Sequence, residues 1–144
     1  MSPGYGETWP VNLIDTSVWI ALLRGHDTAA TRLLRRWLLR GVTCIAPVIL
    51  QELLQGARGE KELIRLETHF GELPMLEATK KAHAAAGALY ARLRWQGVTV
   101  RSPHDCLITA VAVEHDVPLL TLDRDFRAIV AIEPALRLVE APLK

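Results

Sequence analysis

Val11-Asn12-Leu13-Ile14-Asp15-Thr16-Ser17 is an apolar run that breaks into three residues favouring helix starts. It reads as a short strand over residues 11–14 that hands an acid directly to a helix over about 17–24, ending near Gly25. Outward from this unit the pattern repeats. Residues 28–40 carry Leu33, Leu34, Trp37 and Leu38 on one side and Arg32, Arg35, Arg36 and Arg40 elsewhere, which predicts an amphipathic helix closed by Gly41. A strand over 42–46 follows, and Pro47 suits the first turn of a helix over 47–57 that is apolar on most sides and so expected to be buried.

Further helices are expected over 60–70 and 78–96, the latter with Ala84, Ala85, Gly87 and Ala88, small enough to let another helix approach. Ser102-Pro103 opens the next helix, which ends near His115, and a short one covers about 125–130. Apolar strands are expected at 73–76, 119–121 and 136–139, making five in all. Strands alternating with helices imply an α/β domain with a mainly parallel sheet, covered on both faces through right-handed crossovers. In such sheets ligands sit at the carboxyl ends of the strands, where the strand order reverses.

The bulk numbers narrow the class. The chain of 144 residues, half of them hydrophobic and 23% charged, has the length of one domain with a continuous core. A net charge of +1 gives no sign of a nucleic-acid partner and excludes none, because clustered acids can hide a basic rim. Cys44 and Cys106 stand far apart, with no CxxC pair and no zinc spacing, as expected of two small core residues in a reduced cytoplasmic protein. Residues 1–10, read as an N-terminal extension, hold no apolar run for a signal peptide, and no stretch approaches the ~20 apolar residues that span a membrane.

Five acids then draw notice, each with a plain alternative. Asp15 ends the first strand, where an Asp also serves as a helix cap. Glu52 lies in the most apolar helix, in a row with Val48, Ile49 and Gly56; it either turns inward and needs a cation or donor, or faces solvent beside Gln51 and Gln55. Asp105 completes a capping box with Ser102, yet it shares a helical row with the inward Ile108, Thr109 and Ala112. Asp123 follows the strand 119–121 most closely, with Asp125 as the second choice of ligand; either also suits a cap for the short helix. Two carboxylates ~4 Å apart repel by about 4 kcal/mol at an effective dielectric of 20, so several together call for a cation. An all-oxygen set without His or Cys points to Mg²⁺ or Mn²⁺ rather than zinc. None of the five His shows metal spacing, and His104 and His115 read as surface residues at the two ends of one helix.

The same residues carry a family likeness. Leu13-Ile14-Asp15-Thr16-Ser17-Val18-Trp19 resembles the opening motif of PIN domains, and Pro47-Val48-Ile49-Leu50-Gln51-Glu52-Leu53 resembles the second. Asp105-Cys106-Leu107-Ile108-Thr109-Ala110-Val111-Ala112 is similar to the third motif, and Leu119-Leu120-Thr121-Leu122-Asp123-Arg124-Asp125-Phe126 to the fourth. Four motifs in order, spanning about residues 12–139, are far more specific than one, and the likeness is to the VapC toxins in particular. The extension of ten residues, 1–10, stands ahead of the first strand where two or three are expected.

The resemblance implies a three-layer α/β/α PIN domain over residues 11–144 and a metal-dependent endoribonuclease leaving a 3′-hydroxyl and a 5′-phosphate. It also implies a homodimer and a VapB-type antitoxin that masks the site. Asp15, Glu52, Asp105 and Asp123 match the family's acidic positions, and Thr16 and Thr121 match its supporting hydroxyls. Arg24, Arg101, Arg124 and Arg127 lie near the ends of these elements and are candidates for the RNA backbone, as a group rather than singly. Trp37 with Leu33 and Leu34 forms either an antitoxin groove or core, and the helix around Gly87 packs either across a dimer axis or on its own sheet.

Rival classes fit less well. A receiver-type signalling module wants a phosphoacceptor Asp after the third strand, where Met75-Leu76-Glu77-Ala78 stands. A phosphatase with a nucleophilic Asp wants a second Asp two residues after the first, where Ser17 stands. A catalytically silent PIN fold that binds RNA or a partner is the remaining alternative, although every acid is retained.

Overall fold

The computed structural model describes residues 11–140, so the N-terminal extension, residues 1–10, lies outside it. Three strands, β1 (Asn12–Ile14), β2 (Thr43–Cys44) and β3 (Leu119–Leu120), alternate with seven helices among the described residues. These are α1 (Thr16–Leu23), α2 (Ala29–Arg40), α3 (Pro47–Gln55), α4 (Glu60–Gly71), α5 (Lys80–Trp95), α6 (His104–Glu114) and α7 (Asp125–Ile132).

The strands run parallel in the order β2-β1-β3, with Leu13 beside Cys44 on one side and beside Leu119 on the other. From β1 the chain moves out to β2, then crosses back to β3 on the far side of β1. The order therefore reverses at β1, which makes the carboxyl ends of β1 and β3 the ligand-binding edge. Asp15 and Thr121 stand at those ends, and the Asp15 N–H bonds Leu120 O at 2.9 Å.

The expected five strands reduce to three. Residues 73–76 and 136–139 each join the sheet through one parallel bridge, Met75 with Ile45 and Leu138 with Leu119. Pro74 accepts from Ile45 N–H but has no N–H to return, and Leu136 N–H turns back to Glu133 O at 3.1 Å, so neither ladder extends.

Local chemistry sets the helix ends. Thr28 and Thr31 cap α2 reciprocally, and Gly41 closes it at φ 70°, a conformation that Gly adopts without strain. Pro47 occupies the first turn of α3. Apart from Asn12 and Thr43 the strand residues are apolar, because the sheet is covered on both faces: Leu13, Ile14, Leu119 and Leu120 are fully enclosed with Ile45, Phe70 and Phe126. Each such side chain contributes about 1.5–3 kcal/mol of hydrophobic stabilisation.

On α2, Leu34 is fully buried and Leu33 and Trp37 pack against the core, so this stripe is core rather than groove. On α5, Ala82, Ala86, Leu89 and Leu93 point inward, while Ala84, Ala85 and Gly87 are exposed. Cys44 and Cys106 are buried and unpaired, and burial pushes their thiols up to about 12 and about 11. No helix among the described residues is long and apolar enough to cross a membrane.

Candidate metal centre

Asp15 is both a helix cap and a pocket residue. Its Oδ2 accepts from Ser17 Oγ at 2.6 Å, Thr121 Oγ1 at 2.8 Å and, more weakly, Ser17 N–H at 3.4 Å. The hydroxyls are themselves fixed: Leu122 N–H donates to Ser17 Oγ, and Asp123 N–H to Thr121 Oγ1, at 3.0 and 2.9 Å. This ties the end of β1 to the loop after β3. Burial raises the Asp15 carboxyl above its ordinary range, the hydroxyl bonds oppose that, and the charge of Glu52 adds to the rise.

Glu52 turns toward this edge from α3 instead of facing solvent. Thr16 Oγ1 donates to its Oε1, and Nδ1 of His104 lies 3.0 Å from its Oε2. Asp105 sits in the first turn of α6, only 7% exposed, and its carboxylate accepts no hydrogen bond from any described residue. The capping box does not form: Ser102 Oγ accepts from His104 N–H at 3.1 Å, and Asp105 offers only its backbone N–H to Ser102 O. Burial, followed by the charges of Asp15, Asp123, Glu52 and Asp125, pushes Asp105 up to about 7.

Asp123 and Asp125 form the outer side. Their carboxylates and that of Asp105 bring one oxygen each to within 4.8 Å of one another. Arg101 holds both: Nη2 donates to Asp123 Oδ1 at 2.7 Å, and Nε and the backbone N–H donate to Asp125 Oδ2 at 3.2 and 3.0 Å. The Arg101 backbone bond first, and then its guanidinium, hold Asp125 below the ordinary carboxylate range. A pocket of about 220 Å³ unites the parts, lined by Asp15, Thr16, Ser17, Glu52, Asp105 and Asp123 with Arg101 and Ser102.

The sequence-predicted acids thus converge, and Asp125, the second choice, belongs to the tightest trio. Sequence reasoning missed Ser17, although its hydroxyl stands two residues after Asp15, and took His104 for a plain surface residue. Of the four arginines, Arg101 is turned onto the acids. Arg24 lines a separate groove of about 530 Å³ that opens beside Glu52, with Arg58, Arg65 and His69 over an apolar floor that includes Leu53 and Leu66. Arg124 and Arg127 are exposed around the start of α7, outside both cavities.

A buried carboxylate without a donor, inside an all-oxygen cluster, is the donor set of a hard divalent cation. The residues fit such an ion. Fold and site together define an α/β domain whose metal-suited pocket lies at the reversal point of a parallel sheet.

The chain belongs to the PIN-domain family, whose profile matches residues 13–132. A VapC ribonuclease of Mycobacterium bovis is 36% identical over 123 residues, covering 83% of this chain and 92% of that protein. Ribonuclease VapC1 of Rickettsia felis is 33% identical over 129 residues, covering 84% and 92%. Among solved structures, DNA-bound VapBC from Salmonella typhimurium superposes with a TM-score of 0.73 at 23% identity, over 91% of this chain and 98% of that one. At that identity the likeness is one of fold.

Proposed function

We propose that this chain is a metal-dependent endoribonuclease, the VapC-type toxin of a toxin–antitoxin pair. The relatives named ribonuclease support the activity, and the VapBC neighbours support a VapB-type antitoxin as partner. The observation that carries the reading is Asp105, an unpartnered buried carboxylate facing four further acids.

Asp15, Glu52, Asp105 and Asp123 hold Mg²⁺, or Mn²⁺, with Asp125 beside them. When bound, the ion supplies an activated water and neutralises charge on the phosphate during in-line attack on the RNA backbone. Ser17 and Thr121 orient Asp15 by hydrogen bonds to one oxygen and leave the other for the ion. Thr16 and His104 hold Glu52 from both of its oxygens. Arg24, Arg124 and Arg127 flank the site as phosphate contacts. The products carry a 3′-hydroxyl and a 5′-phosphate.

The exposed Ala84, Ala85 and Gly87 on α5 give a second copy room to approach, and a homodimer is expected in light scattering at micromolar concentration. Two free buried cysteines suit the reducing cytoplasm. The experiment is cleavage of a mixed RNA pool by the purified protein with Mg²⁺, with EDTA, and for Asp105→Asn. Cutting that needs the metal and is lost in the variant is the expected result. A folded, antitoxin-free wild type that does not cut overturns the reading in favour of a catalytically silent binding protein.

A further inference from the structure

We propose that Arg101 takes the place of a second cation in this centre, so that the site loads one divalent ion per chain. The inference rests on the metal-dependent reading above and specifies its stoichiometry. In two-metal nucleases, two ions about 3.5–4 Å apart share carboxylates, and each needs free carboxylate oxygens on its own side. Here one oxygen of each outer carboxylate is already taken, which leaves only Asp123 Oδ2 and Asp125 Oδ1 without a donor on that side among the described residues. Asp123 Oδ1 accepts from Arg101 Nη2 at 2.7 Å and from Asp125 N–H at 2.9 Å. Asp125 Oδ2 accepts from Arg101 N–H at 3.0 Å and Nε at 3.2 Å. A carboxylate oxygen offers about two acceptor positions, so both atoms are saturated. Asp105 alone has no donor on either oxygen, and one of its oxygens lies within 4.8 Å of one oxygen each of Asp123 and Asp125, so a single ion has Asp105 and the two free outer oxygens to bind.

An exposed ion pair is ordinarily weak, and a divalent ion competes well against one. This contact is more than a pair. Three donors from a single residue grip two carboxylates, and one of the three is a backbone N–H that cannot swing away without moving the loop into α6. A second ion beside the outer pair would meet the guanidinium charge at short range. Of the five N–H donors of the guanidinium, Nε–H and one Nη2–H are used, so the remainder are available to a phosphate oxygen beside the ion. One arginine thus replaces the charge of a second metal and binds the same anion that metal would bind.

The test is titration of the metal-free protein with Mn²⁺, followed by calorimetry and electron paramagnetic resonance. Wild type is expected to bind one Mn²⁺ with the spectrum of an isolated ion. Arg101→Gln, which keeps length and loses charge, is expected to bind two with an exchange-coupled spectrum, and Arg101→Lys to return to one. Two coupled ions in wild type overturn the proposal while leaving the nuclease reading standing. One ion in Arg101→Gln with wild-type affinity also overturns it. No Mn²⁺ bound by any of the three proteins sinks the metal-dependent reading itself.

Discussion

Asp15 and Asp105 line the pocket as buried residues, Asp15 held by hydroxyls, whereas Asp123 and Asp125 are half-buried in the grip of Arg101. The two halves face the same repulsion and answer it differently. The outer pair has a cation within the chain, and Asp125 is held below its ordinary range. The inner pair has none, and both carboxyls are held above theirs. Crowded acids left without an internal counter-ion are costly to the fold, and that cost is removed only by a ligand. The inner half is the place where function is stored.

Substitutions in the two halves therefore differ in the size of their effect. Asp15→Asn and Asp105→Asn are expected to lower single-turnover RNA cleavage by about 10³-fold, the scale of losing a principal electrostatic element of an active site. Asp125→Asn, whose partner is Arg101, is expected to lose about tenfold. Equal losses across the rim and the interior would erase the contrast, and full activity in either inner variant would remove those acids from the centre.

The inner half also predicts how stability responds to pH when the protein is metal-free. Asp105 is raised to about 7, while in the unfolded chain it ionises near its ordinary 3.8. A raised acid lends the fold stability in its neutral form; that contribution is fully present below about 3.8 and is lost progressively as pH rises from there through about 7. Solvent at the open pocket mouth screens the effect to about 1–2 kcal/mol. In EDTA, Asp105→Asn should therefore raise Tm at pH 8 by about 2–6 °C, by less at pH 5, and change it little below about pH 4. Added Mn²⁺ should stabilise wild type at pH 8 and leave the variant nearly unchanged. A variant less stable than wild type at pH 8 would show that Asp105 is satisfied in a way the geometry does not reveal.

Much of this is legible in the sequence alone. The strand–acid–helix unit at residues 11–17 and the parallel sheet follow from apolar runs buried on both faces, and the four motifs fall on the edge that the switch-point rule marks. What stayed hidden depends on distance across the fold. The edge strands failed as strands because Pro74 lacks a donor and Leu136 N–H is spent on a turn, details of single backbone groups that hydrophobic pattern does not carry. Asp105 fitted a capping box equally well in sequence, and only the direction of its side chain decides. The pairing of His104 with Glu52 spans 52 residues, and that of Arg101 with Asp123 spans 22, so neither leaves a local signal.

The residues that orient the acids should give intermediate effects. Thr16→Val removes the donor to Glu52 Oε1, and Ser17→Ala removes the shortest bond to Asp15. Each is expected to weaken Mn²⁺ binding about tenfold by calorimetry, because such partners fix the orientation and basicity of ligands. Ser17→Ala, which serves the inner half, should exceed any effect of Arg124→Ala on the same measurement. The reverse order would mean that the hydroxyls only cap α1.

The smallest effect concerns the substrate and asks whether the contrast extends beyond the acids. Arg24, Arg58 and Arg65 line a groove that opens beside Glu52 and does not include Arg101. If the RNA strand leaves the centre along that groove, Arg24→Gln removes one phosphate contact and touches no ligand. KM should then rise about three- to fivefold with kcat unchanged, and the slope of log affinity against log salt should fall by about 0.7, the value for one contact to a single strand. Arg127→Gln, on the other side, provides the matched control. A loss confined to Arg127 would route the strand past the rim and over α7, and a fall in kcat for Arg24→Gln would mean that this arginine supports Glu52 rather than the RNA.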